Sequence, residues 1–404
     1  MRTSRWYRSS VFLPLLLLTI AGLSAALLSY GTHPGWFAYR HGLELILFSR
    51  QYQWPLAALA ILMCLGLIGL VVGGKRRAWW LIGLGPVLAL FVHRFHTDPL
   101  REFAVLDDPA FVTADEGTFL ADSDWVVGVI FNGNAYAYPY YALYRSPVVF
   151  KREHDKRMML MWSAFANRAV AVNLSHDLRA RDVEIVSTPG NALLLYDRRL
   201  GQFINGLTGL TPAGAKVIGF GSRIAIHKTT WGQWSREHPN TRVMIPVGGP
   251  AQPKIPNGPI EPYFTVPRQP ESHNQDRRIV LLGLDDAVAF PQGLITLRPL
   301  NLTVGAVPAL VYRDPQTGRI RAFDRRIEDL VPRFRVNTNP AMKGVYLVDS
   351  DTNSGWSADG RAVTGPMAKQ RRRLAVLPVD EDLPWSVLHA WMPTLTLGDP
   401  ATIR

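Results

Sequence analysis

The stretch WVVGVIFNGNAYAYP, residues 125–139, reads as two apolar runs joined by Asn132 and Gly133. Asn-Gly accepts positive φ at both central positions of a tight turn, so Trp125–Phe131 and Ala135–Pro139 are predicted to pair as a β-hairpin. The same grammar continues on either side of it. After Asp98 and Pro99 the chain is cut into apolar runs of roughly four to seven residues, separated by Gly, Asn, Asp and Pro, the spacing of a β-rich region. Met158–Trp162 and Ala169–Leu174 form a second predicted pair around Phe165–Arg168, and Ala192–Tyr196 continues the series. Helices are sparse. The best is Thr230–His238, where Thr230 is placed to cap the start, Trp231 and Trp234 share a face, and Pro239 stops the helix.

Upstream of residue 100 the composition changes. That quarter carries nine Lys/Arg against two Asp/Glu, out of 44 and 32 in a chain of 404 residues with formal net charge +12. The excess charge is therefore concentrated away from the β-rich region, which lacks the basic face a nucleic-acid partner needs. Residues 11–30 are uncharged and follow three arginines, and 55–74 and 78–95 are further apolar runs. Three spanning helices are expected, since twenty residues at 1.5 Å each match a hydrocarbon core of about 30 Å. A cleaved signal sequence, with AGLSAA at 21–26 as its processing site, is the alternative for the first. The third, interrupted by Gly83, Gly85 and Pro86, has a re-entrant alternative. With basic clusters kept on the cytoplasmic side, three crossings put residues 101–404 of a multi-pass membrane protein outside the cytoplasm. Cys64, the single cysteine, rules out an intramolecular disulfide and reads as a packing residue.

Within the β-rich region the order strand, Asp-led turn, glycine, strand occurs at 196–203 and at 312–323. Each is followed by a Gly-rich stretch and a tryptophan-bearing segment, an order pointing to an internal duplication. Residues 247–276 hold seven prolines and read as a linker or long surface loop. The expected organisation is a membrane region at 1–100, one β-rich unit at 101–246, the proline-rich segment, and a second β-rich unit at 277–404. The fold class is a membrane-anchored α+β protein with a duplicated β-rich domain.

The motifs VVGVIFNGNAYAYP (126–139), LLLYDRRLG (193–201), TTWGQWSREHPNTRVM (229–244) and WSADGRAVTGP (356–366) resemble the DUF3179 family of uncharacterised bacterial proteins. The resemblance covers most of 104–395 and, being to bacterial proteins, implies that the membrane is a bacterial inner membrane and the C-terminal region periplasmic. It implies a Trp-His-Glu run after the Ala-Tyr-Pro strand and a Tyr-Cys-Pro-x-Cys-like run in the next hairpin, together a place for metal or redox chemistry. This chain departs from both, with Tyr144, Arg145 and Ser146 at the first and Ser163 and Ala166 at the cysteine positions of the second. Serine and alanine replace neither thiolate nor imidazole donors.

Candidate residues divide into a motif and scattered polar groups. Trp231, Trp234, His238 and Pro239 form the structural or binding motif, with His238 as a helix-ending residue whose positive form suits a C-terminus. Asp197, His227, Asp349, Asp351 and Arg361 are polar candidates; Asp349 and Asp351 lie in a turn that partly mimics an oxygen-rich cation loop without its terminal glutamate. Neither Ser222 nor Ser354 sits in a nucleophile elbow. The pairs Asp107-Asp108 and Asp285-Asp286, His176-Asp177, the histidines 93, 96, 154, 273 and 389, and the basic run 369–373 read as solvated or packing residues. No catalytic residue, metal set or cofactor is assigned. The expected function is a non-catalytic binding or accessory module whose partners are the lipid bilayer and an envelope protein, with no nucleic acid. The alternative is a metal-binding or redox-related envelope enzyme.

Overall fold

The computed structural model describes residues 3–74, 76–99, 103–175, 178–247, 258–266, 277–283 and 287–398. His176-Asp177, Asp285-Asp286, His273 and most of the proline-rich segment lie outside them. The N-terminal part is helical. Val11–Tyr30, Gln53–Val72 and Ala78–His96 are long and apolar enough to cross a membrane. The second ends two residues before the apolar run does, because Gly73 and Gly74 leave the helix, the latter at φ 66°. The third begins as a 3₁₀ turn, Ala78–Gly83, and becomes α-helical from Leu84 to His96. Gly83 lets the first helix approach closely, since a Cβ there would stand 2.6 Å from Leu18 Cδ1. Cys64 sits beside a small cluster of Ala21, Ala25 and Val87. His93 Nδ1 bonds Ser29 Oγ at 2.7 Å, and its ring lies 4.6 Å from that of Tyr30. The connection after the first helix contains an unanticipated helix, Gly42–Gln51.

The remainder is β-rich. The predicted hairpin forms in the expected register, Phe131 opposite Asn134 and Val126 opposite Pro139, with Asn132 at φ 51° and Gly133 at φ 83°. It sits inside a five-stranded sheet with Ile226–Thr230 beside Trp125–Phe131, and with Arg242–Met244 and Phe111–Thr113 beyond Asn134–Pro139. The second predicted hairpin, Lys156–Ser163 with Arg168–Leu174, belongs to another five-stranded sheet, flanked by Val148–Glu153 and Val105–Asp107 on one side and Phe220–Ile224 on the other. This sheet is a middle layer. Met158, Leu160 and Trp162 face the first sheet, whereas Met159 and Met161 face a small sheet of Val183–Ser187, Leu194–Asp197 and Gln202–Asn205. Burial on both faces explains why residues 158–162 show no polar alternation. The strand expected at Ala192–Tyr196 forms at Leu194–Asp197, within this separate outer layer.

Residues 278–384 repeat the layering with other strands. Val307–Arg313 and Ile320–Asp324 lie in a middle sheet. Ala309 and Val311 face the sheet of Arg278–Leu282, Val288–Pro291 and Val379–Pro384, and Leu310 and Tyr312 face the small sheet that carries Leu347–Asp349 and Gly355–Trp356. The two segments matched in sequence occupy different layers: Tyr196–Phe203 lies in an outer sheet, Tyr312–Phe323 in a middle one.

Candidate functional site

The tryptophan helix runs from Trp231 to Glu237 and lies on the hairpin sheet. Thr230 has extended backbone at the cap position, but its hydroxyl makes no capping bond. The first helical amides instead donate to Asp124 O at 2.7 Å and Asp122 O at 3.0 Å, so neighbouring backbone does what the side chain was expected to do. Trp234 is 1% exposed, donates from Nε1 to Thr241 Oγ1 at 2.8 Å, and lies flat over Gly128, where a Cβ would stand 2.5 Å from the indole. The glycine inside an otherwise β-branched strand is thus a seat for the ring. His227 and His238 flank the same indole, with centroids 5.8 and 4.1 Å from it. Burial holds both imidazoles below their ordinary pKa. His238 closes the helix through its amide, which donates to Trp234 O at 2.8 Å, but its desolvated ring does not favour the positive form expected of a helix C-terminus.

The positions that differ from the family motif the sequence resembles lie on neighbouring elements. Helix Tyr140–Arg145 ends beside the hairpin: Trp162 N donates to Pro147 O at 2.7 Å, and the Tyr144 ring lies 6.5 Å from Trp162. Arg145 points to solvent while Ser146 is buried. Ser163 Oγ accepts from Leu193 N at 3.0 Å, and Ala166 is fully buried with Ala192, Leu207 and Val387. No thiolate, imidazole or carboxylate comes from these five residues, so the metal or redox group that the family motif implies has no donors here. Among the described residues no group of three His, Cys, Asp or Glu side chains is arranged to hold a metal.

A strap without regular secondary structure, residues 258–266, crosses this face. Asn191, 1% exposed and left-handed at φ 65°, grips its backbone three times: Nδ2 donates to Phe264 O at 2.6 Å, and Oδ1 accepts from Tyr263 N at 2.9 Å and Phe264 N at 2.7 Å. Phe165 meets Tyr263 and Phe264 at centroid distances of 5.9 and 5.8 Å, Tyr144 OH donates to Gly258 O, and Glu261 pairs with Arg278. The same turn, Pro189–Asn191, contacts the N-terminal part. Phe37 lies against Gly190, whose φ is 52°, and stacks on Trp391 at 4.6 Å, while Trp391 Nε1 donates to Pro189 O.

Beside this face lies a buried charge cluster between the strand groups. Lys228 Nζ is 2.7 Å from Asp380 and also donates to Asn167 O and Glu381 O; Arg168 Nε is 3.5 Å from the same carboxylate. Glu381 pairs with Arg319, whose guanidinium lies over Trp125. Burial lowers the pKa of both Lys228 and Arg168. A cavity of about 40 Å³ next to Arg168 and Arg223 admits only groups the size of a few waters. This cluster was missed in the sequence. Its signals were a lysine one residue from the tryptophan motif and an acidic run, Asp380–Asp382, that fills half of the strand Val379–Pro384.

The other candidates are spent locally. Asp197 accepts from Arg199 N and Gln202 Nε2 within its turn. Asp349, fully buried, accepts from Thr352 N and Oγ1, Ser354 N and Trp356 Nε1, which uses the lone pairs a cation would need; Asp351 accepts from Ser350 Oγ. Arg361 is exposed, 3.9 Å from Asp359. Ser222 and Ser354 are hydrogen-bonded to Asn173 and Met367 N.

No curated protein and no solved structure matches the chain. A family model does, over residues 103–394, and it covers both strand groups, the tryptophan helix and the strap. The chain belongs to DUF3179, a family of proteins of unknown function.

Proposed function

We propose that this protein is a membrane-anchored, non-catalytic binding module of the bacterial envelope, built from two related β units at 101–246 and 277–404 with the proline-rich segment 247–276 between them. The carrying observation is the face around Tyr144, Phe165 and Asn191. Where the family motif implies reactive donors, this chain offers aromatic rings and a carboxamide that holds its own segment 258–266 by the backbone. That is recognition chemistry, with main-chain hydrogen bonds for affinity and rings for selectivity.

Anchoring is supported by the apolar faces of the three long helices, on which Leu62, Ile82 and Leu88 are at least 60% exposed. A shared side for the connection 31–52 and the β-rich region is supported by the contacts of Phe37 and Arg50 with that region. Two crossings between that connection and residue 103 fit these contacts, which favours three spans over a re-entrant third segment, and the positive-inside count supports an extracytoplasmic side. Duplication is supported by strand order. In each group the strand that ends the outer sheet, Ile226–Thr230 or Val379–Pro384, pairs antiparallel with the group's first long strand and runs directly into a Trp-headed helix.

The test is photo-crosslinking from position 165 in intact cells, followed by binding of the trapped partner to purified protein. One recurrent envelope protein, lost on Asn191→Ala and bound in vitro by the parent, supports the reading. Stoichiometric copper, zinc or iron in protein purified in detergent would overturn it in favour of a metal or redox enzyme.

A further inference from the structure

The helix Gly42–Gln51 has two faces with different occupants. Gly42, Ile46, Ser49 and Arg50 are buried. Ile46 joins a cluster with Val186 and Leu194, and Arg50 pairs with Glu184 while lying 4.9 Å above the Tyr196 ring, so this face is fastened to the small outer sheet. The opposite face carries Phe48 and Tyr52, 45% and 44% exposed, whose rings meet at 4.9 Å. Tyr39, before the helix, and Trp54, after it, are 67% and 77% exposed, and Arg40 is exposed.

We propose that this aromatic face is a lipid-binding surface seated in the headgroup region of the bilayer, a reading that rests on the membrane anchoring argued above. Continuity of the chain carries it. The helix is tied at its start to the end of Val11–Tyr30 by the short 3₁₀ turn Pro34–Ala38, and at its end passes through Tyr52 directly into Gln53–Val72. Its end is therefore held level with the start of Gln53–Val72, and Gly31, which follows Val11–Tyr30, abuts Ser49, where a Cβ would stand 2.0 Å from Oγ. That is the depth where Trp and Tyr settle with the ring in acyl chains and the polar edge in headgroups. Arg40 is placed for phosphate. The helix then acts as a gasket, one face on the bilayer and the other on the β-rich region, and it sets the strap and its Asn191 grip close to the membrane surface.

The test uses full-length protein in lipid nanodiscs with Cys64→Ala, carrying one bimane-labelled cysteine at a time. Phe48→Cys and Tyr52→Cys should each lose a large share of their fluorescence to lipid brominated near the headgroup end of the acyl chain, and less to lipid brominated near its far end. Ile61→Cys should show the reverse order, and Val376→Cys, on the β-rich region, should keep its fluorescence with both. Probes at 48 and 52 that behave like the one at 376 while 61 is quenched would overturn this proposal alone. An unquenched probe at 61 would overturn the anchoring reading with it.

Discussion

Gly128 and Trp234 are one feature divided between two residues. The strand surrenders a side chain so that an indole can lie on its backbone, and the indole closes the core between helix and sheet. Removing a buried aromatic ring costs about 3–5 kcal/mol, so Trp234→Ala should lower the unfolding midpoint severely. Gly128→Ala should cost about 1–3 kcal/mol by overpacking. In the Trp234→Ala background that second cost should largely vanish, because the atom the new Cβ meets is gone; chemical denaturation of the double-mutant cycle measures the coupling. The flanking imidazoles add a pH dependence. Burial depresses the folded pKa of His227 and His238, so below about pH 6.5 the unfolded chain takes up protons that the folded chain resists. Stability from this source is complete above that range and is lost as pH falls through it towards the folded values. Melting temperatures across that range should drop on acidification, and less so for His227→Phe.

At the scale of elements, two fastenings join the strand groups. Asp380 neutralises two buried cations, Lys228 and Arg168. Breaking a buried pair costs about 3–5 kcal/mol, so Lys228→Met should be destabilising. Asp380→Asn should be worse, because it strands both cations where Lys228→Met leaves Asp380 with Arg168; unfolding midpoints that rank the other way would refute the arrangement. The strap is the second fastening. Asn191→Ala removes three backbone hydrogen bonds, at about 0.5–1.5 kcal/mol each, and should raise amide exchange and proteolysis within 258–266 before the rest of the chain is affected. Elements of this kind explain what the sequence could show. The hairpin at 125–139 was legible because its turn residues and its pairing are local, and so was the tryptophan helix with its proline stop. The layer to which Leu194–Asp197 belongs was not, because a fully buried strand has no alternation to reveal its neighbours. Lys228 and Asp380 are 152 positions apart, and nothing local in either tells that it meets the other. The departures at Ser163 and Ala166 were readable only against a family pattern, and the strap that crosses them ran through a segment whose prolines indicated only a loop.

The whole molecule is organised about the turn Pro189–Asn191, where the connection 31–52, the last helix and the strap converge on three residues. In the proposed topology the connection 31–52 and the β-rich region share one side of a membrane, outside the cytoplasm. Cysteine accessibility in intact cells tests this, with a membrane-impermeant maleimide on Cys64→Ala protein carrying a single new cysteine at His33 or Val376, both exposed and neither on the lipid-facing aromatic surface. Both should be labelled before lysis and to similar extents. Labelling at 33 before lysis but at 376 only afterwards would put the two on opposite sides and refute the shared side.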